Sequence, residues 1–405
     1  MTHFYGWRIV AACMLANFLG NAFGLFGVGV YLKVLSDLRG WPVGQLSGGI
    51  TLFLMVSAVL SLPVGKTISR HGPKPIVLLG AVTMAAGVLG IGFAGTVAQA
   101  WLAFAVMGIG WASLSAAAMA AMIAPWFEKH QGRAVSLAAM GASMGGIVGV
   151  PVLLFAVAQA GLAPTMIAAA VAIVAALVPI AIFVMKRAPD ELGLFPDGAT
   201  GTSAKANDVP AWTVREAAST PALWSVIVAF SIGMFVQVGF LTHQVSILST
   251  ELSPELVSVA ASTTAIVALA ARLLLASIVD GIDQRLFSFI LLLLAAAVYG
   301  TLAVFPNVWV LLAGCGVFGL TMSNVTILSA IIVRREFGAA SFGPVFGFAS
   351  SIIQVATALG PSFYGVLREL SGGYQLPLAI AAGLDVVAAI VVWSVDGRQR
   401  FRRPF

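Results

Sequence analysis

Charged residues are scarce in this chain of 405 residues, and their scarcity excludes a water-soluble protein. Asp, Glu, Lys and Arg make up 9% of the sequence, hydrophobic residues make up 60%, and the mean hydropathy is +1.03. A soluble domain carries roughly a quarter charged residues. Apolar stretches of about 20 residues, long enough to cross a bilayer core, recur along the whole chain. The sequence therefore predicts an all-α membrane protein with many spans.

Several chemical motifs are also absent from the sequence. The two cysteines, Cys13 and Cys315, lie in separate apolar runs, which favours packing over a disulfide or a metal site. The chain has no Walker-type phosphate loop, no His/Cys group with metal spacing and no nucleophile–base pair. We therefore expect no enzyme activity and no cofactor, and any transport should use a gradient or an exchange.

Twelve apolar segments are separated by polar turns, and the longest polar stretch divides them six and six. That stretch contains DGATGTSAKANDVPAW, whose composition is typical of a linker. The first run is too long for a cleavable signal peptide and has no cleavage site. We predict an N-terminal bundle at 1–187, a linker at 188–220 and a C-terminal bundle with a short tail at 221–405. The predicted spans are 7–35, 44–64, 75–97, 99–124, 133–158, 163–185, 221–248, 257–279, 286–305, 308–333, 341–366 and 375–395.

Positive charge is distributed unequally between the two sides of the predicted membrane. Most of the 21 Lys and Arg residues fall on the side of the linker and both termini, whereas Lys33, Arg39 and Arg368 fall on the other. Because Lys and Arg are retained on the cytoplasmic side, we predict a multi-pass protein of the cell's inner membrane with both termini and the linker in the cytoplasm. The same distribution accounts for the net charge of +6, so nucleic acid is not expected as a partner.

The two halves of the chain carry matching segments. GKTISRHGPK at 65–74 follows the second span, and ASIVDGIDQR at 276–285 follows the eighth. Parallel six-helix repeats of this kind predict two bundles that face one another across a central site. In span five, Gly141, Gly145 and Gly149 recur every four residues, a spacing that predicts close packing against a neighbouring helix.

These matching segments resemble the loop motif of the major facilitator superfamily, Gly-x-x-x-Asp-Arg-x-Gly-x-Lys/Arg, and the resemblance covers the whole chain. It implies twelve transmembrane helices in two pseudo-symmetric six-helix bundles. The motif falls on Gly65, Ser69, Arg70 and Gly72 in the first half and on Asp280 in the second. In such families the loop acid helps to close the cytoplasmic face. Ser69 stands where the first-half acid would be, which implies a weaker latch in that half.

Four shorter pieces resemble one branch of that superfamily, the monocarboxylate and oxalate/formate porters. They are YGWRIVAA at 5–12, PWFEKHQGRAVSLAAMGASMGG at 125–146, ELGLFPDG at 191–198 and the arginine of span eight, Arg272. The chain also departs from the branch. Ala268 stands where animal monocarboxylate transporters have an acid, and Gln354 is the best-placed polar residue where the oxalate/formate pattern has a lysine. The resemblance implies a small organic anion as the substrate.

Arg272 is a permanent cation inside the apolar run ALAARLLLASIVDGIDQR. It lies eight residues before Asp280, which puts it about 12 Å into the membrane, where a guanidinium costs about 3 kcal/mol or more. The small residues Ala268, Thr264 and Ala261 continue its helical face and predict open space in front of it. Because a guanidinium presents a planar fork of donors to a carboxylate, we interpret Arg272 as substrate-binding. The alternative is an arginine paired with a buried carboxylate or with helix carbonyls.

Further polar and aromatic side chains recur at helical spacing on spans one, four, seven, ten and eleven. Amides within a membrane either hydrogen-bond a neighbouring helix or face a wet cavity. As a set, these side chains predict a central polar chamber. The predicted substrate-binding residues besides Arg272 are Asn17, Asn21, Trp111, Gln237, Asn324 and Gln354.

Asp385 and His243 are the candidates for coupling a proton to transport. Asp385 lies in AAGLDVVAA in the middle of span twelve. There it could pair with Arg272, carry the proton, or pack as a neutral or hydrogen-bonded acid between helices. The resemblance puts the twelfth helix outside the cavity, which favours packing. His243 lies near the outer end of span seven, where a structural hydrogen bond is the favoured interpretation.

Together these features predict a secondary transporter of a small organic anion, with a monocarboxylate as the leading candidate. Alternating access would be driven by proton symport or by anion exchange, and a single chain in the lipid bilayer is expected to suffice. One alternative is an exporter of amphipathic drug-like compounds or a vitamin uptake carrier, for which Arg272 would be dispensable. Another is a non-transporting membrane sensor, which would need a signalling domain that the linker and tail are not expected to provide.

Overall fold

Helices account for the regular secondary structure in the part of the chain that the computed structural model describes, residues 4–127, 130–198, 212–278, 282–338 and 341–395. Twelve helical spans in these ranges are long and apolar enough to cross a membrane, which confirms the predicted all-α class and number of spans. The first half contains α1 (Gly6–Phe23), α2 (Gly27–Arg39), α3 (Val43–His71), α4 (Lys74–Phe93), α5 (Val97–Ser113), α6 (Ala116–Ile123), α7 (Gln131–Met144), α8 (Val150–Ala160) and α9 (Leu162–Pro179). The second half contains α10 (Val214–Ala218), α11 (Pro221–Leu248), α12 (Pro254–Ile278), α13 (Gln284–Val304), α14 (Val308–Phe337), α15 (Phe342–Ala358), α16 (Gly360–Ser371) and α17 (Gln375–Trp393).

Several spans are built from two consecutive helices rather than one. Span one combines α1 with α2, span four α5 with α6, span five α7 with α8, and span eleven α15 with α16. A break inside a span frees backbone groups that need partners within the protein. At the first break the Tyr31 hydroxyl donates to the Phe23 carbonyl at 3.1 Å. At the second, the Ser115 hydroxyl accepts from the Ala118 amide at 3.3 Å and caps α6.

The chain divides into two compact units. One comprises Met1–Lys205 with Gln244–Ser246, and the other comprises Ala206–His243 with Ile247–Phe405. Helix α10 falls within the stretch predicted as a linker, and it begins with a capping box between Thr213 and Glu216. The boundaries of the linker at 188–220 stay a prediction, because 199–211 lie outside the described ranges.

Within the first unit, glycines let α1 approach the helices of span five closely. A Cβ atom added at Gly145 would lie 2.9 Å from the Ala22 nitrogen, and one at Gly149 would lie 2.6 Å from the Ala22 Cβ. A Cβ atom at Gly141 would collide with the carbonyl oxygen of Met14. These contacts confirm the packing role predicted for the three glycines.

Three of the sequence pieces that carry the branch resemblance meet at one end of the first unit. The rings of Tyr5 and Trp126, from the first and second pieces, lie 5.5 Å apart. The His130 amide, also in the second piece, donates to Asp197 Oδ1 of the third piece at 3.4 Å. The Tyr5 hydroxyl donates to the Val184 carbonyl at 2.9 Å. The pieces are distant in sequence but form one packed feature.

Helix α3 continues further than the sequence predicts, through most of the segment expected to be a gating loop. Three residues of that segment therefore lie on the helix: Gly65, Ser69 and Arg70. The chain leaves the helix at Gly72, whose φ of +81° favours glycine. The Arg187 Nη2 donates to the Ser69 carbonyl at 3.1 Å, so a basic side chain of the same unit holds this turn. Asp280, the second-half counterpart, lies outside the described residues.

A buried network in the second unit is centred on Arg285, at the start of α13. Its guanidinium bonds Glu336 twice, from Nε at 2.8 Å and from Nη2 at 3.0 Å. It also donates to the Ser225 hydroxyl at 2.7 Å and to the carbonyls of Val392 and Ala222 at 3.0 Å. All five donors of the guanidinium are thus used, and they join α11, α13, α14 and α17. In the sequence Arg285 counts only as one of the cations on the predicted cytoplasmic side, and the structure shows that it is buried.

We predict that Glu336→Gln destabilises the protein by about 3–5 kcal/mol, because it leaves a buried guanidinium without its counter-charge. The side chains of Arg285 and Glu336 are only 2% and 6% exposed. The control is Asp37→Asn, which breaks the solvent-exposed Lys33–Asp37 pair and should cost about 1 kcal/mol or less. Thermal or denaturant unfolding of both purified variants measures the difference. Equal losses in the two variants would contradict the structural role of the Arg285 network.

Candidate functional site

Arg272 lies towards the C-terminal end of α12 and is half-buried. Its Nε atom is buried and has no hydrogen-bond partner in the described part of the chain. Within the same residues, no carboxylate forms an ion pair with the guanidinium. The alternative interpretation, an arginine neutralised by a buried acid, therefore finds no support among the described residues. A permanent cation at this depth remains available to a ligand.

The helical face that continues from Arg272 is less open than the sequence predicts. The Thr264 hydroxyl donates to the Cys315 carbonyl of α14 at 3.1 Å, and Ala261 is 7% exposed. At these two positions the small side chains allow α12 to pack on α14, so the prediction of open space is wrong there. Ala268, one turn from Arg272, is only partly buried.

The two asparagines of α1 are engaged in helix packing. Asn17 is 1% exposed and donates from Nδ2 to the Ala138 carbonyl of α7 at 3.1 Å. Asn21 donates from Nδ2 to Asn17 Oδ1 at 2.7 Å and to the Asn17 carbonyl at 2.8 Å. This pair ties α1 to α7, as expected of amides that bond between membrane helices. Of the predicted binding residues in the first unit, these two contact each other.

Trp111 lies near the end of α5, next to the break in span one. A Cβ atom added at Gly24 would lie 2.8 Å from its indole Cδ1, and its ring is 5.5 Å from that of Phe53. The indole Nε1 is buried and has no hydrogen-bond partner within the described ranges. Trp111 thus combines an apolar packing surface with a donor that is left unused.

The predicted amides of the second unit differ from those of the first. Gln237 on α11 is 1% exposed, and neither its Nε2 nor its Oε1 has a partner among the described residues. Asn324 on α14 donates from Nδ2 to the Leu320 carbonyl at 3.0 Å, but its Oδ1 has no partner in the same part of the chain. Gln354 on α15 is exposed. Because a buried amide without partners is costly, Gln237 and Asn324 differ from Asn17 and Asn21, whose amide donors the protein itself satisfies.

His243 is part of a structural connection within the second unit. Its Nε2 lies 3.1 Å from the Pro361 carbonyl, and its Nδ1 lies 3.0 Å from the Tyr374 hydroxyl. A carbonyl only accepts hydrogen bonds, so Nε2 carries the hydrogen in this contact. The imidazole therefore links α11 to α16 and to the start of α17. This arrangement agrees with the structural interpretation rather than with a mobile proton carrier.

Asp385 on α17 is fully buried, and both of its carboxyl oxygens lack a hydrogen-bond partner in the described ranges. It forms no ion pair with Arg272 in those ranges. The hydroxyls of Tyr299 on α13 and Tyr364 on α16 are likewise buried without partners among the described residues. An acid that packs between helices through hydrogen bonds is therefore not what these residues show.

Four buried polar residues were not predicted from the sequence. Arg285 and Glu336 form the buried ion pair, and the hydroxyls of Tyr299 and Tyr364 are buried without partners among the described residues. Tyrosines in the middle of apolar spans are a signal in the sequence, because their hydroxyls need partners when buried. Glu336 is an acid directly after two arginines, and no pattern in the sequence distinguishes it from a solvated acid.

Metal ligation is not indicated by the described side chains. In these ranges no group of three or more His, Cys, Asp or Glu residues is placed to hold a metal ion. Cys13 and Cys315 are both buried free thiols.

Part of the chain matches a known protein family. Residues 11–247 match the family described as Major Facilitator Superfamily. An uncharacterized 38 kDa protein in the 23S RNA operon of Thermoproteus tenax is 26% identical over 404 residues, which cover 98% of this chain and 92% of that protein. MFS-type transporter 1 of Ophiocordyceps sp. (strain BCC 1869) is 26% identical over 148 residues, covering 36% of this chain and 32% of that protein.

Two crystal structures of a bacterial homolog to the human lysosomal transporter Spinster have a similar fold. The inward-facing, unoccupied structure has a TM-score of 0.76 at 13% identity and covers 97% of both chains. The inward-facing, occupied structure has a TM-score of 0.71 at 13% identity and covers 99% of this chain and 98% of the other. At this level of identity the likeness concerns the fold alone.

The contrast between Gln237 and Asn17 gives a prediction about stability. Gln237→Leu should leave the unfolding free energy unchanged or raise it by about 1–3 kcal/mol, because it removes two unsatisfied polar atoms. Asn17→Leu should lower it by about 1–3 kcal/mol, because the Ala138 carbonyl and the Asn21 amide lose their partner. Thermal unfolding of the two purified variants measures the difference. Similar destabilisation in both would mean that Gln237 has a structural partner.

Proposed function

Because this chain belongs to the Major Facilitator Superfamily, and is thus a multi-pass membrane transporter, we propose that it transports a small organic anion with one carboxylate. Transport proceeds by alternating access, and a single chain in the lipid bilayer is the transporting unit. The substrate carboxylate pairs with Arg272 on α12. The proposed class is that of the monocarboxylate and oxalate/formate porters.

The unpaired guanidinium of Arg272 is the observation that carries this proposal. Its Nε is buried, and the described residues offer it neither an acceptor nor a carboxylate. Holding an uncompensated cation at this depth costs free energy. A bound carboxylate would supply the missing charge and two oxygens in the plane of the guanidinium fork. The favourable pairing with the guanidinium forms only when the substrate is bound, as expected of a binding site.

The number of available cations supports a single carboxylate. Arg285, which the structure buries, already uses all five of its donors on protein acceptors. A second carboxylate on the substrate would therefore find no donor available at Arg285. The amide atoms of Gln237 and the Oδ1 of Asn324, which have no partner among the described residues, suit a hydroxyl or keto group on the substrate. Binding roles for Asn17, Asn21, Trp111 and Gln354 stay predictions.

The energy source and the orientation complete the proposal. Proton symport and anion exchange both fit a site in which the substrate balances the charge of Arg272. Asp385 remains the candidate for a coupled proton, because both nitrogens of His243 contact protein oxygens. Most Lys and Arg residues fall on the predicted side of the linker and the termini. This distribution supports cytoplasmic termini in an inner membrane. Three of the sequence segments that resemble the porter branch pack against one another in the first unit. This packing supports the interpretation that they form one structural feature and did not match the branch by chance.

We predict that Arg272→Lys loses most carboxylate transport while keeping the fold, because an ammonium lacks the planar fork of donors. Loss of one charge-assisted hydrogen bond should weaken the apparent affinity about tenfold or more. Uptake of radiolabelled small monocarboxylates into proteoliposomes measures this effect. Arg39→Lys is the matched control, since Arg39 is exposed at the end of α2.

Near-normal uptake by Arg272→Lys would overturn bidentate capture of the carboxylate. The same conclusion would follow if Arg39→Lys lost as much activity, because the loss would then reflect a general sensitivity to charge. The melting temperature of each variant, measured without substrate, separates a folding defect from a binding defect.

A further inference from the structure

Five aromatic side chains pack together at the end of the first unit where α1 begins. They are Phe4, Tyr5, Trp7, Trp126 and Phe127, and we call them the aromatic cluster. The Phe127 ring lies 5.0 Å from the Trp7 ring and 5.5 Å from the Phe4 ring. The Trp126 ring lies 6.2 Å from the Phe4 ring and 5.5 Å from the Tyr5 ring. These contacts connect all five rings.

Two arginines lie over rings of the aromatic cluster. The guanidinium carbon of Arg133 is 5.8 Å from the centre of the Trp7 ring, and that of Arg8 is 5.6 Å from the centre of the Tyr5 ring. Both distances are within the reach of a cation–π interaction, about 6 Å. Both arginines are exposed, and neither forms an ion pair within the described ranges. The rings therefore hold two cations in place while leaving their charge available.

Both arginines lie where their spans enter the membrane. Arg8 is the third residue of the first span, and Arg133 is the third residue of the fifth. At 1.5 Å per residue, each lies within about 5 Å of the start of its span. The Tyr5 hydroxyl donates to the carbonyl of Val184, the last residue of the sixth span, at 2.9 Å. Trp and Tyr side chains are typical of this level, where the apolar core of a bilayer meets the lipid headgroups.

We propose that Arg8 and Arg133 bind the phosphate of an anionic phospholipid at this end of the first unit. Trp7 and Tyr5 position the two guanidinium groups through their ring faces. The phosphate accepts hydrogen bonds from the guanidinium forks, a pairing that suits arginine better than lysine. A lipid held by both side chains joins the start of α1 to the start of α7.

The surface next to the arginines offers a place for the acyl chains. Met144, Val148 and Val152 follow Arg133 along span five at roughly helical spacing, so they continue its face of the span. All three side chains are exposed. A phospholipid bound through its phosphate at Arg133 can therefore lay an acyl chain along this apolar face. A soluble phosphate compound would gain nothing from that part of the surface.

The charge at this end of the unit selects an anionic headgroup. Helices α1 and α7 both begin here, and neither has an acidic residue in its first turn or a side-chain cap. Their N-terminal dipoles therefore add to the positive field of the two arginines. A zwitterionic headgroup brings a cation of its own, which this field repels. An anionic phospholipid brings the negative charge without that penalty.

The melting temperature of the purified full-length protein in detergent, titrated with phosphatidylglycerol, tests this site. Phosphatidylcholine with the same acyl chains is the comparison for headgroup charge, and soluble glycerol phosphate is the comparison for the acyl chains. We expect phosphatidylglycerol to raise the melting temperature by several degrees, since a ligand that binds the native state stabilises it. The other two compounds should leave it unchanged at the same concentration.

The variants identify the residues. Arg8→Gln and Arg133→Gln should each weaken the apparent affinity for phosphatidylglycerol about tenfold, because each removes a charge-assisted hydrogen bond. Trp7→Leu keeps every charge but removes the ring beneath Arg133, and should weaken the affinity about two- to fivefold. The controls are Arg70→Gln and Arg39→Gln, at exposed arginines on the same and on the opposite predicted side. Both controls should bind the lipid as the wild-type protein does.

The proposal is overturned if phosphatidylglycerol stabilises the protein no more than phosphatidylcholine or glycerol phosphate does. It is also overturned if Arg70→Gln weakens binding as much as Arg8→Gln and Arg133→Gln, since the effect would then reflect surface charge in general. Each affinity comes from the response of a variant relative to its own lipid-free melting temperature. If Arg8→Gln does not fold, Arg133→Gln and Trp7→Leu still decide. Because no organic anion substrate is involved, this test is independent of the Arg272 hypothesis.

Discussion

A charged group inside a bilayer needs a partner, and this constraint explains how the polar residues of the second unit are used. Arg285 meets the constraint within the protein: its five donors on α13 find five acceptors on three other helices. Arg272 and Asp385 do not meet it among the described residues, and they do not pair with each other there. Within the described ranges, the Arg272 Nε and both Asp385 carboxyl oxygens are therefore polar atoms that the protein itself leaves without a partner.

The same distinction separates structural amides from available ones. The Asn17 side chain donates to a carbonyl of α7, and the Asn21 side chain donates to Asn17 within α1. The nearby glycines of span five bring α1 and α7 close enough for the first of these hydrogen bonds. Gln237 is buried to the same degree but has no partner for either amide atom in the described ranges. Polarity alone therefore does not identify a binding residue in a membrane helix. The unsatisfied state of the polar atom is the more informative property.

Hydropathy was enough to predict the all-α class and the number of spans. Each of the twelve spans overlaps an apolar segment of the sequence, because a helix must present about 20 apolar residues to the bilayer. The packing of Gly141, Gly145 and Gly149 was also predictable, since their spacing puts all three on one helical face. The resemblance to the superfamily, drawn from short motifs, agrees with the family match over residues 11–247.

Side-chain partners were not predictable, because they depend on contacts between residues distant in sequence. Glu336 lies 51 positions from Arg285, and no local pattern links the two. The extension of α3 through Ser69 was missed because glycine and basic residues near its end resembled a loop. The prediction of open space in front of the Arg272 guanidinium was partly wrong. Small residues can allow close helix packing as well as line a cavity, and Thr264 packs against α14.

Thermal unfolding of the purified protein with small monocarboxylates, each compared with its uncharged amide, tests the central claim most directly. The two compounds of a pair have nearly the same shape and differ in the charge that Arg272 is proposed to bind. At a concentration about 100 times the dissociation constant, a ligand stabilises the native state by about 2.7 kcal/mol. We expect at least one monocarboxylate to raise the melting temperature and its amide to have no effect. Stabilisation by no carboxylate, or equal stabilisation by acid and amide, would contradict an anion site at Arg272.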